Sequence, residues 1–514
     1  MRASTNRLTA FDDLEKMIIN NGFCTLCGAC EAACPIHAIR VESDKPRRLY
    51  NCAEYLDSCP ICYNICPHTE ALIHEAASFL LDTPYRRESI GGYRRIVLAR
   101  SSNPTLRKAT KGGGVVSALL NFAMDRGIID SAVISEATLS TPIKVKPAIR
   151  LVPDDVLSAV EIKVVPSAVA EAYGRAVFEY GKSHVAFVGT PCHVLALREL
   201  EAWQHKVASS LKLIIGLFCL WSFSLGSLLE YLFQERGITP GSIKHVDLSP
   251  DYYILSLESG EARIPLSEVK GHIMNRCRTC ADFTSEFADL SVGGATPLEG
   301  WSTVIVRTGR GESIFNEAVK EGAIEVRRME PEVFAHIVQL ASYKQDSAFK
   351  EIRELSRKGL PVPGAMKISE KLVSGGVNEL RDMKVGEIMT RNVISLNGNL
   401  TVSEFLDEIV EHHHIGYPVI DDANKLIGIV TLQDAMKVPK EKRGSIQIKE
   451  ICSKDLVTVF PDDSVADALE KMGAHNIGRL LVVDRKDKSI LLGIVTRSDI
   501  LREITKLYHS GKSE

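Results

Sequence analysis

The sequence predicts a multidomain protein of mixed α+β and α/β class, and three observations carry that expectation. Eight cysteines are packed between Cys24 and Cys66, with few long apolar runs around them. From about residue 90 to 357, short apolar strand-like runs alternate with helical patterns, as in an α/β core with a mixed or parallel sheet. From about residue 381 the chain repeats itself. The expected organisation is a small cysteine-dense domain over 1–80, a core over 90–357, a linker over 358–380 and a tandem repeat over 381–510.

The first zone owes its character to cysteine. Thirteen cysteines are many for a chain whose N-terminus, with its acidic residues and no apolar core, does not read as a secretion signal. The expected compartment is the cytoplasm, where cysteines point to metal or redox chemistry rather than to disulfides. The run Cys24-x2-Cys27-x2-Cys30-x3-Cys34-Pro35 has bacterial ferredoxin spacing, in which three thiolates wrap one cubane and the fourth serves another. The second run, Cys52-x6-Cys59-x2-Cys62-x3-Cys66-Pro67, matches except for a longer first gap. Crossing the ligands puts one [4Fe–4S] cluster on Cys24, Cys27, Cys30 and Cys66, and another on Cys52, Cys59, Cys62 and Cys34. Two zinc ribbons are the alternative, but interleaved triplets that each end in Cys-Pro are a ferredoxin signature.

In the second zone Arg95–Ala99, Val185–Val188 and Leu213–Phe218 read as strands, and Val115–Met124 and Leu228–Glu235 as helices. The longest apolar stretch, Leu213 to Phe223, is about half a bilayer span and reads as a buried strand running into a turn. A formal net charge of −3 gives no reason to expect nucleic acid or an anionic membrane as partner. Four further cysteines, Cys192, Cys219, Cys277 and Cys280, complete a third set of four ligands by count. A plain buried core cysteine is the competing reading for Cys219. The segment Lys358–Lys367, with two prolines and two glycines, reads as linker.

Five ordered motifs then make the core specific. They are Lys111-Gly112-Gly113-Gly114-Val115-Val116-Ser117, Gly189-Thr190-Pro191-Cys192-His193, Gly216-Leu217-Phe218-Cys219, Cys277-Arg278-Thr279-Cys280-Ala281-Asp282-Phe283 and Ala288-Asp289-Leu290-Ser291-Val292-Gly293. Over about residues 20 to 340 the chain resembles the family of beta subunits of coenzyme F420-reducing hydrogenases and dehydrogenases, which includes a plant hydroxymethyl-chlorophyll reductase. The resemblance implies FAD, a third [4Fe–4S] cluster and electron exchange between them. It implies cofactor contacts at Gly112, Gly113, Gly114, Ser117, Lys163, Thr190 and Asp282, with cluster ligation by Cys192, Cys219, Cys277 and Cys280. The Gly triplet precedes a helical run, so within the motif series its bare N–H groups suit a pyrophosphate, although the triplet alone reads more readily as a plain turn. Lys163 is flanked by Ile162 and Val164 where the family has a Ser-Lys-Tyr segment, and a solvated lysine is the alternative. Asp282 and Asp289 read as caps or cofactor-shell groups rather than acid–base catalysts.

In the third zone Leu426-Ile427-Gly428-Ile429-Val430-Thr431-Leu432-Gln433-Asp434 recurs 65 residues later as Leu491-Leu492-Gly493-Ile494-Val495-Thr496-Arg497-Ser498-Asp499. The pair resembles a tandem CBS (Bateman) module. In that family, Thr431 with Asp434 and Thr496 with Asp499 hold the ribose and phosphate of AMP or ATP; as local structure they cap a helix. His412, His413 and His414 read as solvated or packing residues in a loop before a strand, and Cys452 reads as core.

Together these readings predict a flavin- and iron–sulfur-dependent oxidoreductase. The expected hydride carrier is coenzyme F420, since no dinucleotide fingerprint follows a strand. The expected electron partner is a ferredoxin or a partner subunit, and the CBS pair is expected to regulate by adenine nucleotide and is compatible with a homodimer. The rivals are an electron-transfer subunit without its own substrate, a ferredoxin-dependent reductase of another conjugated molecule, and a redox and nucleotide sensor.

Overall fold

The computed structural model describes residues 10–42, 44–52, 59–69, 85–87, 89–109, 112–138, 144–152, 166–203, 205–294, 298–360, 382–412, 416–431, 434–435, 437–475, 479–496 and 499–500. The expected linker over 358–380 lies outside these residues except for its first three. The chain divides into two compact units. One comprises Met1–Met329 with His336–Ala365, and the other Glu330–Ala335 with Met366–Glu514.

In the first unit the cysteine-rich segment is made of very short elements. They are helices α1 (Ala10–Leu14), α2 (Ala29–Ala32) and α3 (Ile61–Asn64), and a hairpin of β1 (Ile39–Val41) and β2 (Pro46–Arg48). The segment shares one core with the α/β layers rather than standing apart.

Behind it lies a mixed eight-stranded sheet. Its strands, in chain order, are β3 (Arg95–Ser101), β4 (Ser131–Thr138), β5 (Lys144–Arg150), β6 (Val185–Gly189), β7 (Leu211–Leu217), β8 (Leu290–Gly294), β9 (Ser302–Val306) and β10 (Ile324–Arg327). The spatial order is β10-β3-β9-β8-β7-β6-β4-β5. Neighbours from β8 through β7 and β6 to β4 are parallel, and the flanking pairs are antiparallel. Strand β6 is apolar throughout and β7 nearly so, with Lys212 its one charged residue, because both faces are covered. Val185, Phe187 and Ile214 face helices α5 (Val169–Phe178) and α6 (Pro191–Ala202) and the cysteine-rich segment. Ala186, Val188, Leu213 and Ile215 face α4 (Val115–Asp125) and α9 (Gly309–Lys320). Complete burial of Phe187 alone is worth about 1.5–3 kcal/mol.

The helix expected from Leu228 starts earlier, as α7 (Leu225–Arg236), and ends on Gly237, whose φ of +64° gives the left-handed turn a helix end favours. Two further elements bear on the site. The short helix α8 (Asn275–Arg278) carries Cys277, and the 27-residue helix α10 (Pro331–Arg357) carries Lys344.

The second unit holds two copies of one pattern, a three-stranded sheet with a helix. The first has Leu396–Asn397 parallel to Gly416–Ile420, which pairs antiparallel with Leu426–Thr431; the second has Thr458–Val459, Arg479–Val483 and Leu491–Thr496 in the same arrangement. The copies interlock reciprocally. Thr390 exchanges backbone hydrogen bonds with Ile494, and Ser453 does the same with Ile429. A Cβ on Gly493 would meet Met389 Sδ at 2.9 Å, and one on Gly428 would meet Cys452 Sγ at 2.5 Å. Cys452 is buried at that seam. His412 is the last residue of helix Val402–His412 rather than part of a loop, because the helix runs on to within a few residues of the strand. His413 and His414 lie outside the described residues.

Candidate functional site

Open sheets of this kind present ligand-binding loops at the carboxyl ends of their parallel strands. That edge collects most of the candidate residues. Strand β6 ends at Gly189 and runs through Thr190 to Cys192, while β7 ends at Leu217 before Cys219. Phe218 donates its N–H to Val292 O of β8 at 3.1 Å, and Cys219 donates to Phe283 O at 2.9 Å. Cys277–Phe283 is thereby pinned beside Cys219.

The glycine triplet sits at the same edge. Ser101, at the end of β3, donates to Gly113 O at 2.7 Å, and the Ser302 hydroxyl donates to Gly112 O. Gly113 and Gly114 have φ of +74° and +71°, and a Cβ on Gly113 would stand 2.4 Å from Gly300 O. Only glycine fits that turn. The turn delivers the chain into α4 with no side chain capping the first N–H groups, and Ser117 is buried one turn in. Lys163 lies outside the described residues.

Thr190 begins α6. His193 Nδ1 accepts from Thr190 N at 3.2 Å and lies 3.0 Å from its hydroxyl, which in turn lies 3.5 Å from Cys192 Sγ. Burial pulls the His193 imidazole down to about 4, so it is neutral at ordinary pH. The Asp282 carboxylate accepts from Glu286 N at 3.0 Å. Burial raises its pKa, against the opposing pull of Lys344 and Arg307.

The cysteines fall into three electrostatic neighbourhoods. Burial, reinforced by Cys27, Cys24, Cys66 and Cys62, pushes the Cys30 thiol well above its usual range. Cys66 is raised likewise, by burial and then by Cys27 and Cys24. Cys62 rises to about 12 through burial and the nearness of Cys59, Cys34 and Cys52. Cys277 is raised by burial together with Cys219, Cys192 and Cys280. Backbone N–H groups already point at two of the sulfurs, Leu26 N at Cys24 Sγ (3.4 Å) and Ala38 N at Cys34 Sγ (3.2 Å).

The neighbourhoods adjoin in a fixed order. Cys24 and Cys27 both feel Cys192, whereas Cys30 feels Cys62. The group of Cys24, Cys27, Cys30 and Cys66 therefore lies between the other two. Glycine makes the close approach to the core achievable. A Cβ on Gly28 would lie 2.6 Å from Glu171 N of α5, and one on Gly174 would lie 2.9 Å from Ala32. Among the described residues, no three His, Cys, Asp or Glu side chains converge tightly enough for a single metal ion.

Several residues in this region escaped the sequence reading. His68 is buried, with Nε2 2.7 Å from the Thr25 hydroxyl and Nδ1 accepting from Arg276 Nε at 3.1 Å. Both Thr25 and His68 stand next to or near cysteines of the two runs, a proximity that was available as a signal. Lys344 carried no such signal. Asp289, read as a cap or shell group, is instead the hub of a buried ion cluster. It accepts from Arg198 at 2.8 Å, from Arg310 Nε at 3.0 Å, from the Thr308 hydroxyl at 2.6 Å and from Ile214 N at 2.8 Å. In the C-terminal unit Thr431 Oγ1 donates to Asp434 Oδ2 at 2.7 Å, and Thr496 Oγ1 to Asp499 Oδ2 at 2.7 Å. Each pair makes a reciprocal cap on the helix that follows.

Comparison with known proteins gives this geometry a family. Residues 96–172 and 182–332 match the families described as coenzyme F420 hydrogenase/dehydrogenase beta subunit, N-term and C terminus. The coenzyme F420 hydrogenase subunit beta of Methanothermobacter thermautotrophicus is 30% identical over 280 residues, which cover 53% of this chain and 99% of that one. The chain belongs to the family of coenzyme F420 hydrogenase/dehydrogenase beta subunits. This family member also resembles a subunit of the F(420)H(2) dehydrogenase of Methanosarcina mazei, 28% identical over 58% of this chain and 83% of that one. A chain of the F420-reducing [NiFe] hydrogenase complex from Methanosarcina barkeri superposes with a TM-score of 0.51 at 26% identity, covering 54% of this chain and 99% of that one. Around the family core, residues 17–40 match the 4Fe-4S binding domain, and 385–441 and 448–506 match the CBS domain. No helix among the described residues is long and apolar enough to cross a membrane.

Proposed function

We propose that this member of the beta-subunit group is a flavin- and iron–sulfur-dependent oxidoreductase that exchanges hydride with coenzyme F420 and single electrons with a ferredoxin or a partner subunit. The observation that carries the proposal is the adjacency of Cys24 and Cys27 to Cys192, which joins the ferredoxin-like segment to the family core.

Three cysteine sets fit three clusters: an outer set of Cys52, Cys59, Cys62 and Cys34, a middle set of Cys24, Cys27, Cys30 and Cys66, and an inner set of Cys192, Cys219, Cys277 and Cys280. Soft thiolates suit iron–sulfur clusters, and buried thiols that resist ionisation alone are the ones a metal cluster deprotonates on binding. The N–H groups aimed at Cys24 and Cys34 fit negatively charged sulfur. Bound FAD supplies the conversion between two-electron and one-electron chemistry. The chain's share is to bind it, with Gly112, Gly113, Gly114, Ser117, Lys163, Thr190 and Asp282 as the proposed contacts. Their gathering at one edge of the sheet supports this for those described. The CBS pair is proposed to bind AMP or ATP at Thr431/Asp434 and Thr496/Asp499 and to regulate the redox core. A cytoplasmic location follows from the chemistry of the partners.

The test is anaerobic reconstitution of the full chain. About twelve irons, four per cubane, flavin absorbance and oxidation of reduced F420 are expected. Cys62→Ser and Cys277→Ser should each remove about four irons and leave the rest. Colourless protein containing zinc would overturn the proposal. The relatives are named as subunits of hydrogenases and dehydrogenases, which favours one second reading, an electron-transfer subunit with no substrate of its own. That reading predicts no F420 turnover until a partner subunit is added.

A further inference from the structure

We infer that Lys344 is a fixed positive charge that raises the reduction potential of the inner cysteine set. The inference rests on the proposed ligation of a cluster by Cys192, Cys219, Cys277 and Cys280.

Lys344 lies on α10, far in sequence from every cysteine of the set, and its side chain is only 2% exposed. Its ammonium donates to two carbonyls at 2.6 Å, Cys219 O and Asp282 O. Those bonds hold the charge against the two segments that carry three of the four ligands, Cys219 in one and Cys277 and Cys280 in the other. Its field reaches all four thiols of the set. None of the thiols of the middle or outer sets has Lys344 among its strongest influences where those are resolved.

A neutral donor would satisfy two carbonyls as well as an ammonium does, and burying a charge is costly unless an opposite charge faces it. Cluster-bound thiolates are that opposite charge. Each electron accepted adds one negative charge to the cage, so a nearby cation stabilises the reduced form more than the oxidised form.

The experiment is a redox titration of the reconstituted full chain followed by electron paramagnetic resonance, with iron content and circular dichroism measured on each sample. Lys344→Gln keeps N–H donors for the carbonyls and removes the charge. It should retain about twelve irons and lower one midpoint of three. At a fixed ambient potential the reduced-to-oxidised ratio of that cluster should drop about tenfold, equivalent to 59 mV for one electron. Lys344→Arg keeps the charge and should keep the wild-type midpoint. A fully loaded Lys344→Gln protein with unmoved midpoints overturns the inference. Should Lys344→Gln shed the inner iron, Lys344→Arg decides, and a loaded Lys344→Arg protein whose midpoint falls as far as loss of the charge would predict overturns it. Wild-type protein with eight irons and two midpoints would instead bring down the inner set itself, and the role of Lys344 with it.

Discussion

His68 Nε2 lies 2.7 Å from the Thr25 hydroxyl, and the direction of that hydrogen bond is determined from the far side of the ring. Arg276 Nε can only donate, so His68 Nδ1, 3.1 Å away, must accept and Nε2 must carry the proton. His68 therefore donates to Thr25, whose own proton is left to turn toward the nearby Cys192 sulfur, on which Thr25 acts. Burial, with Arg276 and His193 nearby, keeps the imidazole neutral and the chain of bonds in one sense.

Thr25→Val removes the last bond of that chain. Fewer hydrogen bonds to a ligand sulfur disfavour the reduced cluster. On the proposed function the expected result is a lower midpoint for a cluster on the inner set with iron content unchanged, while Thr25→Ser retains the wild-type value. A redox titration of the two variants checks it.

Asp289 predicts a dependence of stability on acid. Burial alone would raise its pKa, but Arg198 and Arg310 outweigh that and hold it at about 2, below the ordinary 3.8. Its stabilisation is fully present above the ordinary value and is lost as pH falls through about 2. The difference is worth about 2 kcal/mol. Asp289→Asn, which strands the buried Arg198, should cost about 3–5 kcal/mol at neutral pH. Denaturant midpoints measured across the acid range test both statements.

Gly113→Ala should destabilise the core by about 1–3 kcal/mol, because its φ of +74° is strained for alanine and the methyl group meets Gly300 O. On the proposed function the flavin-to-protein ratio should fall with it. A substitution in an exposed turn with open space, Gly127→Ala, leaves the flavin ratio at the wild-type level.

AMP or ATP should raise the melting temperature of the CBS pair, by the equivalent of about 2.7 kcal/mol at a hundredfold excess over Kd. Asp434→Ala combined with Asp499→Ala should abolish that shift. Calorimetry of the full chain with and without nucleotide distinguishes binding from a purely capping role for these residues.

Much of the fold was legible before any coordinates. The strands at Arg95, Val185 and Leu213 were visible because both faces are covered, which leaves an unbroken apolar run. The repeat was visible because each copy needs the same Gly and Thr at the same places in its strand. Helix α7 was placed three residues late at its start, since Leu225 to Ser227 present no apolar face to mark the first turn. The site was legible where its parts are local: spacings of two and three residues inside the cysteine runs, and a glycine triplet before a helix.

Short-range chemistry is therefore what can be read along the chain: which cysteines are spaced like cluster ligands, where the backbone must be glycine, and that the C-terminal part is double. The tertiary structure alone decided which distant groups meet, placing Cys24 beside Cys192, Lys344 under the inner set and Asp289 between Arg198 and Arg310. The reason is physical. Ligand spacing and backbone strain act across a few bonds and leave a pattern in neighbouring residues. Contacts made across a buried sheet depend on how its layers pack, and a lysine destined for that interior looks like any surface lysine in the chain.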